Sequence, residues 1–277
     1  MSRCALASMA TMSDSVSDSH PPADVALLAK GGRMPLLGFG TWRLRGSEAV
    51  QATTAALEAG YRHLDTATMY RNEAEVGRAL AESGLPRDDV FVTTKCPPDR
   101  AGRELETLRE SLDLLGLDHV DLWLVHWSSG GQDVAMWQAF VEAQQAGLAH
   151  AIGVSNFGSR LLDEVTSATG VVPAVNQIQW SPLLYDAEVV AEHQKRGVVL
   201  EGYSGLKGGT LDHPTIRGIA EQRGRTPAQV IVRWHLQHGI VVIPKSSSPE
   251  RIRSNADVGG FELSEDDMAA LDGLGRS

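Results

Sequence analysis

The chain has 277 residues, 42% of them hydrophobic, and 25 Lys+Arg against 35 Asp+Glu give a net charge of −10. That composition supports a substantial globular core, while the acidity argues against sequence-independent binding to nucleic acid or acidic membranes and leaves only local basic clusters as phosphate sites. No apolar run reaches the ~18 residues of a membrane-spanning helix, and two cysteines, Cys4 and Cys96, supply neither a disulfide framework nor a zinc site, so a reducing cytoplasm is the expected compartment.

Residues 1–24 are rich in Ser, Ala and Thr, lack hydrophobic periodicity and close on Pro21-Pro22. A disordered extension is expected there, ahead of a single domain over 25–277. Two short runs, Val25–Leu28 and Met34–Leu37, joined through Gly31-Gly32, predict a β-hairpin. Apolar strand patterns then alternate with amphipathic helical ones. Strands are predicted at Leu37–Gly40, His63–Asp65, Val90–Lys95, Val120–His126, Ala151–Ser155, Ala174–Gln177, Val198–Tyr203 and Val241–Pro244. Helices are predicted near Ser47–Ala59, Glu73–Ser83, Arg103–Leu115, Val134–Gln145, Ser159–Ala168, Ala187–Arg196, Pro227–His238 and Pro249–Asp257, with a last stretch at Glu265–Leu271. This rhythm predicts an α/β fold, a (β/α)8 TIM barrel preceded by the hairpin. A doubly wound sheet is the rival. Its dinucleotide fingerprint, G-x-G-x-x-G, finds Gly38 and Gly40 but meets Arg43 at the third position, with Trp42 where the helix would begin. Any dinucleotide must be held some other way.

A barrel carries its chemistry at the C-terminal ends of its strands. The second barrel strand ends at Asp65, with Tyr70 in the loop beyond; the third ends at Lys95 and the fourth at His126. Neighbouring strands lie ~4.8 Å apart, so these four side chains can share one pocket. A phenol is a poor acid at neutral pH unless a nearby cation stabilises its phenolate. Lys95 offers that cation, Asp65 keeps Lys95 charged, and His126 can orient a carbonyl oxygen, a set suited to proton donation alongside hydride transfer. Taken singly, each has a plainer reading: a rim ion pair, a satisfied histidine, a packed ring.

The chain here resembles the aldo-keto reductase family, in its short-tailed prokaryotic-type members. Gly38-Phe39-Gly40-Thr41-Trp42, the segment Gly60 to Glu73, Gly153-Val154-Ser155-Asn156-Phe157 and Ile243-Pro244-Lys245-Ser246 are similar to four of its signatures, in order, over roughly Val25 to Leu274. The resemblance implies reduction of aldehydes and ketones with NADPH, with Asp65, Tyr70, Lys95 and His126 as catalytic residues and Tyr70 as the acid. Oxidation of an alcohol with NADP, or a silent NADPH-binding regulatory subunit, are its alternatives.

The same resemblance assigns Ser155, Asn156 and Gln177 to the nicotinamide carboxamide and Tyr203 to stacking on the ring, although Ser155 and Asn156 could instead cap the next helix. It places Thr41, Trp42, Ser204, Leu206 and Lys207 along the cofactor. Lys245, Ser246 and Arg251 fall at the adenosine 2′-phosphate, beside a helix N-terminus, and Asn255 at the adenine. Trp42 and Trp127 would line the carbonyl pocket over Tyr70 and His126, or serve only as packing. Three positions depart from the family pattern: Ser254 replaces a Glu, Gly205 replaces a Pro and is expected to loosen the loop, and Trp180-Ser181 replaces a pair ending in His. The short loop Ser128–Val134 and the end at Ser277 lead us to expect an open site of broad specificity. His235 and His238, spaced i, i+3, are expected at the surface and not as metal ligands. No metal is called for, and a monomer is the default expectation.

Overall fold

The computed structural model describes residues 25–28 and 32–276; the expected extension at 1–24 and the centre of the hairpin turn lie outside them. Strand β1 (Val25–Leu27) pairs antiparallel with β2 (Arg33–Pro35). Leu28, Met34 and Leu36 from this hairpin pack onto Phe91, Leu122, Val175 and Val241, residues at or near the starts of barrel strands. The hairpin is therefore an apolar floor across the N-terminal end of the barrel.

Eight parallel strands follow in sequence order: β3 (Phe39–Gly40), β4 (His63–Asp65), β5 (Phe91–Cys96), β6 (Val120–Val125), β7 (Ala149–Ser155), β8 (Val175–Gln179), β9 (Val199–Tyr203) and β10 (Val241–Val242). The ends of this sheet meet. Leu37 bridges Val242, Gly38 N–H donates to the Val242 carbonyl (2.9 Å), Val242 N–H to Leu36 (2.8 Å) and Gly40 N–H to Pro244 (3.1 Å). The result is the (β/α)8 barrel expected from the strand count. Gly40 is required at this seam, because a Cβ there would lie 2.8 Å from the Ile243 carbonyl oxygen.

The helices are α1 (Gly46–Glu58), α2 (Glu73–Glu82), α3 (Glu104–Leu115), α4 (Asp133–Gln145), α5 (Ser159–Thr169), α6 (Ala187–Arg196), α7 (Pro214–Arg223), α8 (Pro227–Gln237), α9 (Pro249–Ala256) and α10 (Glu265–Asp272). Their apolar faces meet the outward side chains of the strands; Trp123 on β6 stacks on Phe140 of α4 with ring centroids 3.6 Å apart. Because side chains alternate along a strand, Leu64, Val92 and Trp123 face this outer core while their neighbours face inward. None of the helices among the described residues is long and apolar enough to cross a membrane.

Two expectations need correction. The sequence pattern does not single out α7, whose apolar face is only Ile216, Ile219 and Ala220, started by Pro214 at its first position. More instructive is His235, expected at the surface. It is fully buried on α8, its Nδ1 2.8 Å from the Ile231 carbonyl, and burial pushes its pKa down to about 4. Its ring lies against β9 and the loop beyond: a Cβ on Gly202 would come within 3.1 Å of Nε2, and one on Gly205 within 3.1 Å of Cε1. Gly205, expected to loosen the loop, is thus the residue that leaves room for this imidazole. His238, one turn on, is partly buried and tied to Asp272, Nε2 to Oδ1 2.8 Å.

Candidate active site

The residues expected at the strand ends converge. Lys95, with no exposed surface, donates from Nζ to both oxygens of Asp65 (2.7 Å each) and to the Thr66 carbonyl (2.8 Å), and its ammonium lies 3.4 Å from the Tyr70 hydroxyl. Burial opposes the charge on Lys95, but Asp65 above all, with Tyr70 and Glu201, holds its pKa above the ordinary lysine value. Burial raises the Tyr70 pKa; Lys95 pulls it down without overcoming that desolvation. The His126 ring meets the Tyr70 ring edge-on at 5.6 Å, and burial followed by the Lys95 charge drives its pKa down to about 3. His126 is therefore a neutral imidazole at physiological pH.

Tyr70 is held by its loop as well as by its neighbours. It closes a short 3-10 turn, Thr68–Tyr70, fixed by a 2.8 Å bond from Thr68 Oγ1 to the Lys95 carbonyl. Asn72, fully buried, anchors the following segment: Nδ2 donates to the carbonyls of Thr41 (2.9 Å) and Leu44 (3.0 Å), and Oδ1 accepts from Thr66 Oγ1 (2.7 Å). Arg71, between them, takes a left-handed φ of 52°. A non-glycine residue there is uncommon and persists where its surroundings over-determine it. Asn72 was not singled out from sequence, where an Asn ahead of a helix reads simply as a cap.

These groups open into a cavity of about 510 Å³ on the C-terminal face. Asp65, Tyr70 and His126 form part of its wall, with Ser155, Asn156, Gln177 and Tyr203 in the same wall. Ser155 Oγ donates to the Gln177 carbonyl (2.8 Å), Asn156 Nδ2 to Ser155 Oγ (2.9 Å), and the Tyr203 hydroxyl to Asn156 Oδ1 (2.9 Å). Gln177 Nε2 donates to Asp65 Oδ2 (2.9 Å), linking this set to the ion pair. The next helix starts at Gly158 without a side-chain cap, so Ser155 and Asn156 do not serve as one. Asn156 and Ser204 have φ of 62° and 59°, the same strained region as Arg71.

Farther along the cavity come Ser204, Leu206, Lys207, Lys245, Ser246, Arg251 and Asn255. Arg251 Nε and the Ser248 N–H both point at Ser246 Oγ, 3.2 and 3.1 Å away, at the start of α9. Lys207 has its ammonium 3.8 Å above the Trp42 ring, whose indole also carries Arg43 at 4.2 Å. Trp42, Met69, Trp127 and Leu211 give the mouth an exposed apolar wall; Met69 and Leu211 were not anticipated. Two of the expected cavity residues do not line it: Lys95 lies buried behind Asp65 and Tyr70, and Thr41 is buried, its Oγ1 donating to the Asp65 carbonyl at 2.9 Å. Sequence reasoning also passed over Glu201, a fully buried carboxyl on β9.

Away from the cavity, His119, Asp121 and His150 bring metal-capable atoms within 4.8 Å of one another near the N-terminal ends of β6 and β7. The two imidazoles stack at 4.0 Å, and Asp121 is already engaged by Arg87 Nη2 (2.7 Å) and the Val92 N–H (2.8 Å).

A parallel eight-stranded barrel with a buried lysine, carboxylate and tyrosine at its C-terminal rim, and an amide-lined cleft beside them, defines a barrel oxidoreductase. The aldo/keto reductase family model matches residues 36–276, and the chain belongs to that family. It is 51% identical over 246 residues to an aldo-keto reductase of Mycolicibacterium vanbaalenii, covering 87% of this chain and 88% of the relative. A second relative, an aldo-keto reductase of Mycolicibacterium smegmatis, is 48% identical over 246 residues, covering 87% of each chain. Among solved structures it resembles an aldo/keto reductase from Brucella melitensis, at 40% identity and TM-score 0.87, over 90% of this chain and 98% of that one. The aldose reductase of Schistosoma japonicum is similar at 33% identity and TM-score 0.85, over 90% and 91%.

Proposed function

We propose that the protein reduces aldehydes and ketones to alcohols with NADPH, Tyr70 giving the proton. The observation that carries this reading is the Asp65–Lys95–Tyr70 chain, whose hydroxyl end opens beside neutral His126 into a cavity whose lining runs on to Lys245, Ser246, Arg251 and Asn255. When bound, the reduced nicotinamide supplies the hydride. The residues present fit such a group. Ser155, Asn156 and Gln177 bring hydroxyl and amide side chains matched to a carboxamide, and the Tyr203 ring is oriented by its bond to Asn156. Lys245, Ser246 and Arg251, at the N-terminus of α9, suit a phosphomonoester. Ser204, Leu206 and Lys207 would run along the pyrophosphate, and Asn255 would meet the adenine.

Tyr70 releases its proton to the carbonyl oxygen as that oxygen gains charge, and the Lys95 ammonium offsets the phenolate left behind. Neutral His126 can donate a hydrogen bond to the same oxygen without competing as an acid. Asp65 keeps Lys95 charged against burial. The exposed apolar wall of Trp42, Met69, Trp127 and Leu211 suits aromatic or aliphatic aldehydes and dicarbonyls or keto sugars of modest polarity, with little discrimination among them.

The test is NADPH consumption with a panel containing an aromatic aldehyde, a dicarbonyl, a keto sugar and a simple ketone, beside Tyr70→Phe. Turnover that depends on Tyr70 is expected, with cofactor binding retained in the variant. Wild-type rates in Tyr70→Phe would remove the assigned acid.

A further inference from the structure

The barrel interior beneath the ion pair holds a second carboxyl. Glu201, in the middle of β9, has no exposed surface, and neither of its oxygens has a hydrogen-bond partner among the described residues. It faces inward opposite Gln177 of β8 and Val241 of β10 in the parallel register. His63 Nε2, on β4, lies 3.9 Å from Oε1 but is also 3.2 Å from Thr93 Oγ1 of β5. The amide nearest Glu201, Nε2 of Gln177, is aimed at Asp65 Oδ2 (2.9 Å), and what it offers Glu201 is weaker than burial and the Asp65 charge. The charged groups around it are Asp65 on β4 and Lys95 on β5, with Tyr70 above them; His235 lies on the far side of β9, against Gly202.

Charge counting decides what this carboxyl does. Lys95 is one ammonium, and both Asp65 oxygens already receive its protons. An ionised Glu201 would leave two carboxylates on one cation, its own oxygens shut off from water, and the Gln177 amide and Lys95 favour that charge less than burial and Asp65 oppose it. His63 cannot supply the missing charge, because burial drives its pKa down to about 4. Burial, and then the Asp65 charge, push the Glu201 pKa up to about 8.

We infer that Glu201 is a positioning residue of the proposed reaction, a carboxyl held neutral beneath the Asp65–Lys95 pair so that the Lys95 charge is left to stabilise the Tyr70 phenolate. The inference rests on the carbonyl-reductase reading. With Glu201 neutral, the ion pair sums to zero, and proton donation leaves one negative charge on Tyr70. With Glu201 ionised, the same step leaves two negative charges in excess of the one ammonium. Glu201 transfers no proton in turnover: the Tyr70 O–H bond breaks, the new O–H bond forms on the substrate oxygen, and Tyr70 is reprotonated from solvent. Ionisation of Glu201 therefore makes Tyr70 the weaker acid, and reduction should fall as pH rises through about 8.

Glu201→Gln, which keeps the neutral shape, tests this with two readouts on the full chain. In the pH profile of kcat for carbonyl reduction at saturating NADPH, the wild type is expected to bend downward near pH 8. The variant should match it within about threefold at neutral pH and keep that rate for roughly one further unit. The second readout is the denaturant midpoint from pH 5 to 9, which needs no activity. A carboxyl neutral in the fold and ionised in the unfolded chain makes the wild type lose stability relative to the variant as pH rises from about 4.5 towards 8. Superimposable rate profiles would overturn the positioning role, as would a hundredfold loss in a folded variant at neutral pH. Superimposable stability curves would overturn the neutral carboxyl itself. If no carbonyl is reduced by the wild type, the proposed function fails separately, and the stability curves still decide whether Glu201 is held neutral.

Discussion

Replacing Lys95 by Met tests the electrostatic core of the site most directly. The ammonium is fully buried and 3.4 Å from the Tyr70 hydroxyl, and it is the cation nearest that oxygen. At an effective dielectric of about 20, a full phenolate at that distance would gain roughly 5 kcal/mol from it. With the proton about half transferred at the transition state, roughly 2–3 kcal/mol of that is felt, a loss of about a hundredfold in kcat. Stability should suffer for a separate reason. Buried Asp65 loses its counter-charge, Oδ1 loses its Lys95 donor and Oδ2 keeps only the Gln177 amide, and a buried charge left without its partner costs roughly 3–5 kcal/mol. The double variant Lys95→Met/Asp65→Asn removes both charges, so it should regain much of the stability and none of the turnover. Steady-state rates at saturating NADPH, read beside chemical denaturation curves for the wild type and both variants, separate the two effects. A Lys95→Met protein that stays folded and turns over within about threefold of wild type would refute the argument.

Arg251→Ala should weaken NADPH by roughly ten- to a hundredfold and leave NADH nearly unchanged, since it removes one charge-assisted contact from the proposed phosphomonoester site; fluorescence titration with both cofactors checks this. In Gly77→Ala the usual gain of alanine over glycine in a helix should reverse, because the new Cβ would lie 2.2 Å from the Leu115 carbonyl oxygen; a loss of about 1–3 kcal/mol is expected in thermal or denaturant unfolding. His63, His126 and His235 have folded pKa values of about 4, about 3 and about 4, below the unfolded value of 6.5. The unfolded chain therefore binds more protons in that window, and stability, complete above about pH 6.5, should fall on acidification by roughly 2 kcal/mol per imidazole at pH 5. Glu201 titrates in the opposite sense, so Glu201→Gln should steepen this acid loss.

The barrel was legible because each strand is an apolar, β-branched run and each following helix has one apolar face; His63–Asp65 and Ala187–Arg196 fall where the pattern puts them. The seam strands are shorter than predicted: Pro244 has no N–H to donate, and pairing at Val241–Val242 stops after two residues. The strand-end rule brought Asp65, Tyr70, Lys95 and His126 forward without any knowledge of contacts. Glu201 escaped it, since an acidic residue two places before a strand end reads as solvent-facing until the register with Gln177 turns it inward. His235 escaped for the complementary reason. Beside Gln237 and His238 it reads as polar surface, and only the glycines of a neighbouring strand and loop, distant in sequence, reveal the space reserved for its ring.

The closure between the first and last barrel strands has a mechanical consequence. The ladders between β5 and β6 or β8 and β9 run to four or five residue pairs, but here a single bridge and a few bonds at Gly38, Gly40 and Val242 hold the hoop shut. This clasp lies directly under the cavity, with Trp42 on one side and Lys245 on the other. Any ligand long enough to touch both spans the clasp like a staple. Occupancy should therefore stiffen the joint where the hoop is thinnest, and the empty protein should begin to breathe there before its far side moves.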